Sequence, residues 1–117
     1  MTTIFTMKRQ NLLKETLEIL KKYDKTFADI IYVITSKNNE EGCIEWSTEQ
    51  FVEESAYINY DSSYGMNKIN MTLQLVGETF WIERVEYDGS EWWEYKEIPK
   101  RPSCKGNGKI PIFELHG

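Results

Sequence analysis

Histidine is nearly missing from this chain: there is one, His116, in 117 residues. Ser-His-Asp and Cys-His catalysis and His-based zinc sites all need imidazole at the centre, so none of them has a foundation here. Cysteine is also scarce. Cys43 and Cys104 lack the spacing of metal ligands, and with no signal peptide evident they read as two free thiols of a cytoplasmic protein. No apolar run is long enough to span a bilayer, so no membrane association is expected. Basic charge is in deficit, with 14 Lys and Arg against 19 Asp and Glu, a net charge of −5 and a pI near 4.9. That excludes a general nucleic-acid binder, whose footprint is basic. It suits attachment to a basic surface, such as a protein that itself holds nucleic acid.

What is present is aromatic and amphipathic. Hydrophobic residues make up 40% of the chain and aromatic ones 14%, enough for a packed core with several rings left near the surface. The dominant stretch is Phe80–Pro99, where two strand-like runs flank Asp88-Gly89. Asp-Gly supplies the positive φ angles of a tight type I′ turn. A two-residue loop sets Tyr87 opposite Ser90, Val85 opposite Trp92, Arg84 opposite Trp93 and Ile82 opposite Tyr95, with the Arg84 cation over an indole face, a contact worth roughly 0.5–1 kcal/mol where exposed. A three-residue turn with a Gly bulge would shift this pairing by one; the turn preference favours the shorter loop. Both faces of the ribbon carry rings. One can cover a helix, and the other is left for a partner, for the tail, or for water.

The remaining elements follow from periodicity. Met7–Tyr23 carries a helical stripe of Leu12, Leu13, Leu17, Ile19 and Leu20, and Asp24-Lys25-Thr26 ends it. Ile30–Thr35 is a buried strand, and Cys43–Trp46 a short one. Ser47 and Gln50 form a capping box that opens a second helix ending near Ala56. Residues 57–67 form a loop, followed by Ile69–Val76, which alternates apolar and polar as a strand with one buried side. The expected architecture is α+β: helix, strand, helix and antiparallel meander, with two helices on one face of a sheet of three to five strands. Residues 1–102 make one domain. Residues 103–117 form a basic, Pro/Gly-rich tail in which Ile110–Leu115 is either an edge strand or an apolar segment docked elsewhere.

No motif specifies a reaction. Asp61-Ser62-Ser63-Tyr64-Gly65 lacks the alternating acids and closing Glu of an EF-hand. Gly106-Asn107-Gly108-Lys109 is an incomplete phosphate loop with no strand before it. Carboxylates are plentiful, but no pair has a defined separation, and a solvated acidic face is their plain interpretation. The informative pattern is Tyr and Trp among Glu and Asp, the composition of a partner surface. Its candidate residues are Tyr60, Asp61, Tyr64, Glu83, Glu86, Asp88, Glu91, Trp92, Trp93 and Glu94. No catalytic, metal-binding or cofactor-binding residues are expected.

The run Tyr87-Asp-Gly-Ser-Glu-Trp-Trp-Glu94 with the following Lys96 and Pro99, the stretch from Asn59-Tyr60-Asp61 through Gly65 to Ile69-Asn70, and the Lys25-Thr26 and Asp29-Ile30 junction carry a resemblance. They are similar to a family of small proteins of phages and prophages of Gram-positive bacteria, over roughly residues 8 to 102. The tail lies outside it. The family transfers no chemistry, but its genes sit among phage accessory genes, including those that counter CRISPR and other defences. The leading expectation is therefore an anti-defence (anti-CRISPR-like) protein in the cytoplasm of a bacterial host. It would bind and inhibit a nucleic-acid-handling nuclease through protein–protein contact, without binding nucleic acid itself. The alternative is a homodimer or larger homo-oligomer with a structural or regulatory role, its aromatic sheet face buried against its own copy. A carboxylate-dependent hydrolase or metal enzyme using Glu83, Glu94 and Asp61 is the third class.

Overall fold

The computed structural model describes residues 9–36, 42–62 and 69–103. In chain order its elements are β1 (Arg9–Asn11), α1 (Leu12–Lys22), a 3₁₀ turn (Phe27–Asp29), β2 (Ile30–Ser36), β3 (Cys43–Trp46), α2 (Thr48–Ser55), β4 (Asn59–Asp61), β5 (Gln74–Gly77), β6 (Phe80–Tyr87) and β7 (Ser90–Glu97). The fold is α+β. A five-stranded antiparallel sheet runs in the order β3-β2-β5-β6-β7, and β1 pairs with β4 in a separate two-stranded ribbon.

The first helix starts at Leu12, the first residue of its apolar stripe, and not at Met7 as expected. Arg9–Asn11 are drawn into the ribbon with Asn59–Asp61, and Asn11 becomes the cap: its Oδ1 accepts from the Lys14 N–H at 3.0 Å, and its Nδ2 donates to the Ala56 carbonyl at 2.9 Å. Met7 and Lys8, also expected to be helical, lie outside the described residues. At the other end Asp24 takes φ +60° and the Lys25 N–H reaches back to the Leu20 carbonyl at 2.8 Å, a closure more often made with glycine. The second helix opens as its capping box predicts. Ser47 Oγ accepts from the Gln50 N–H at 3.0 Å, and Gln50 Oε1 accepts from the Ser47 N–H at 2.9 Å.

The expected strand Ile69–Val76 is shortened to Gln74–Gly77. Asn70 Oδ1 accepts from the Thr72 N–H at 2.8 Å and the Leu73 N–H closes on the Asn70 carbonyl at 3.1 Å, so a local turn displaces the first half of the strand. Thr72 still ties that turn to the sheet, because its hydroxyl accepts from the Ser36 N–H at 2.8 Å and donates to the Ser36 carbonyl at 2.9 Å.

The hairpin has the two-residue loop, with Asp88 at φ +51° and Gly89 at φ +83° and Tyr87 paired with Ser90. One face of the sheet is the core face. Val33, Leu75 and Ile82, adjacent across β2, β5 and β6, are fully buried, and Leu12 and Leu20 of α1 and Phe51 of α2 close over that side. Phe80 lies flat on Gly77: a Cβ there would sit 2.7 Å from Phe80 Cδ1 and nearer still to Cε1. Gly77→Ala is therefore expected to displace a core ring and cost about 1–3 kcal/mol, read as a lower urea midpoint at unchanged slope.

Candidate functional site

Two arrangements of functional side chains stand out. The first is buried. Arg84 lies on the core face of β6, its side chain fully removed from solvent. Its Nη1 meets Glu15 Oε1 of α1 at 2.9 Å, and its Nη2 donates to Tyr60 Oη of β4 at 2.8 Å and to Glu91 Oε1 of β7 at 3.2 Å. Tyr60 donates in turn to Glu15 Oε1 at 2.5 Å, and Glu91 Oε1 also accepts the Ile69 N–H at 3.0 Å. The guanidinium stacks 4.9 Å from the Trp93 ring and 5.6 Å from the Tyr60 ring. Trp93 Nε1 donates to Thr16 Oγ1 of α1 at 2.9 Å. One cation thus joins a helix, the small ribbon and both strands of the hairpin.

Arg84 sits opposite Trp93, as the turn predicts, but inside the protein and not at its surface. The missed signal is its place in the alternation Phe80, Ile82, Arg84: an Arg on the apolar side of a strand needs a buried partner. The partner, Glu15, is 69 residues away in sequence. Burial alone opposes the charge on Arg84, but the Glu15 carboxylate and the Tyr60 oxygen more than offset it and hold the pKa above the usual guanidinium value. Both carboxylates are engaged by the guanidinium. Among the described residues the Arg84 Nε is the one buried side-chain polar atom without a partner, and no three His, Cys, Asp or Glu side chains converge as a metal site requires.

Burial first, then the hydrogen bond to Glu15, push the Tyr60 phenol well above its ordinary 10.0. Tyr95 moves the same way, to about 12, through desolvation and the bond it donates to Glu97. Both groups keep their protons in the folded state at a pH where the unfolded chain begins to lose them. Their contribution to stability is whole below about pH 10 and is lost as pH rises through the folded values. Unfolding midpoints should therefore fall from about pH 10 upward, and Tyr60→Phe should flatten that decline. An alkaline slope identical in the variant would exclude Tyr60 as its source.

The second arrangement is the opposite, outer face of the sheet. Cross-strand pairs set Trp81 beside Lys96, Glu83 beside Glu94, and Val85 beside Trp92. Trp81 Nε1 donates to Glu83 Oε1 at 2.6 Å, and Lys96 Nζ stands 3.6 Å from Glu83 Oε2. Val76 and Tyr32 continue the row inward from Trp81. No helix among the described residues packs on this side.

The expected partner residues divide between these places. Glu83, Trp92 and Glu94 share the outer face, and Glu86 and Asp88 are exposed at the hairpin tip. Tyr60, Glu91 and Trp93 are 6%, 3% and 4% exposed and belong to the buried cluster; they hold the fold and cannot touch a partner. Asp61 stands opposite Arg9 in the β1–β4 ribbon, off the main sheet, so it does not join Glu83 and Glu94 in one carboxylate site. Tyr64 lies outside the described residues, as does the proposed strand Ile110–Leu115.

The fold defines a small α+β protein, and among its described residues no helix is long and apolar enough to cross a membrane. No family model matches the chain, and no significant similarity to a curated protein or a solved structure is found.

Proposed function

We propose that this is a phage or prophage accessory protein that acts by contact, docking its outer sheet face on a basic, nucleic-acid-handling surface of a host defence protein such as a CRISPR nuclease. The observation that carries this is the facing pair Glu83 and Glu94 between the indoles Trp81 and Trp92, on a face no described element covers. Lys96, 3.6 Å from Glu83, offsets much of the repulsion within the pair and leaves Glu94 as its more exposed charge. A cationic partner engages Glu94 while Trp rings supply apolar area. Face-to-face packing on a second copy would instead bring four carboxylates together, which disfavours a homo-oligomer that buries this face. The resemblance of the hairpin to phage proteins supplies the setting, a bacterial cytoplasm. No catalytic step, cofactor or metal is invoked.

The test is phage plating on hosts with and without the defence system, together with cleavage by the purified nuclease. Protection should be confined to defended hosts. Inhibition should weaken as salt rises, and Glu83→Gln with Glu94→Gln should abolish it at unchanged thermal stability. Equal plating on both hosts would reject the proposal.

A further inference from the structure

The five-stranded sheet ends at β7, and two hydrogen bonds establish which backbone groups of that strand point outward. The Ile98 N–H donates back toward β6, to the Thr79 carbonyl at 2.7 Å, whereas the Glu91 N–H donates away from β6, to the Ser62 carbonyl at 2.8 Å. Orientation alternates along a strand, so Trp93, Tyr95 and Glu97 present their N–H and C=O groups on the same outer side as Glu91. Among the described residues no backbone group pairs with those three. A groove between α1 and this edge, lined by Glu18, Ile19, Lys22, Trp92 and Trp93, shows that the helix does not close it off.

We propose that this edge pairs with the same edge of a second copy, antiparallel about a twofold axis through Tyr95, so that two sheets become one continuous sheet. An open edge invites an added strand, and the register selects a copy of this chain as that strand. With Tyr95 opposite the copy's Tyr95, Glu94 falls opposite the copy's Lys96, and Trp92 opposite its Ile98. Each pair occurs twice by symmetry. Opposite charges meet on the outer face. Trp92 and Ile98, 41% and 58% exposed in the single chain, cover each other. The neighbouring registers are worse. An axis through Glu94 sets Glu94 against its own copy and pairs Glu97 with Glu91, whose N–H is already given to Ser62. An axis through Lys96 sets Lys96 against its own copy and Trp93 opposite Pro99, which has no N–H to donate. Pairing by the edge engages Glu94 and Trp92 from the side and sets two Trp-bearing faces next to each other in one sheet. The pairing itself does not require that the outer face meet any other protein.

The experiment is sedimentation velocity on the full chain at concentrations up to about 100 µM, with circular dichroism to confirm that each variant folds. The wild type should be a dimer. Glu94→Lys alone, and Lys96→Glu alone, each set like charges opposite one another twice and should weaken self-association by about tenfold or more. Glu94→Lys combined with Lys96→Glu restores opposite charges and should restore the dimer. Three results would overturn the proposal: a wild type that stays monomeric over this range, because the edge is left open or is taken by residues 104–117 of its own chain; single reversals without effect; or a double variant no better than the singles.

Discussion

Replacing Arg84 with Met is expected to cost about 3–5 kcal/mol, a large share of the 5–15 kcal/mol that holds a domain of this size together. The methionine fits the space of the stem but carries no charge. Glu15 and Glu91 then lie against β6 with the cation gone, Glu91 with a side chain 1% exposed. Tyr60 loses the donor at 2.8 Å that balances its own bond to Glu15. Loss of the cation that joins Glu15, Tyr60 and Glu91 is what makes the cost so large. Arg84→Met combined with Glu15→Gln and Glu91→Gln should therefore recover more than half of it, since the amide introduced by Glu91→Gln still offers an oxygen to the Ile69 N–H. Urea unfolding followed by tryptophan fluorescence measures both. An Arg84→Met protein with the wild-type midpoint would show that the cluster does not hold these elements together.

Trp93→Ala should be about as damaging, roughly 3–5 kcal/mol, while Trp92→Ala should stay within about 0.5 kcal/mol in the monomer. The two residues are neighbours in the chain and lie on opposite faces of β7. Trp93 is 4% exposed, supports the Arg84 cation and donates to Thr16; Trp92 is 41% exposed and packs beside Val85 on the outer face. A stability loss shared equally by the two would contradict the assignment of faces. Under the proposed docking of the outer face, Trp92→Ala should instead weaken binding to the partner, where a large ring at the centre of a contact can carry about 2 kcal/mol or more.

That pair also marks how far the sequence was legible. Asp88-Gly89 dictates the turn, and the turn dictates every partner along β6 and β7, because register in a two-residue hairpin is a local property. The capping box at Ser47 and Gln50 and the β-branched run from Ile30 are local signals of the same kind. Period-two alternation separates Trp92 from Trp93, but grouping both as partner residues required knowing which face a helix covers, and α1 is far from them in sequence. The same distance hid Glu15 from Arg84. Local chemistry also misled in two places. The helix expected from Met7 begins only after Asn11, because pairing with β4 takes Arg9–Asn11. The alternation from Ile69 read as a strand, although Asn70 bends it into a turn.

By itself, then, the order of residues determined the body of both helices, the strand from Ile30, the hairpin with its register and the acidic, ring-rich composition, because each rests on interactions within a few positions of the chain. Tertiary structure alone decided which rings are core and which are surface, that β7 is the last strand of the sheet among the described residues, and that an Arg can sit at the heart of a small domain. Those outcomes depend on burial, and burial exists only once elements distant in sequence have packed against each other.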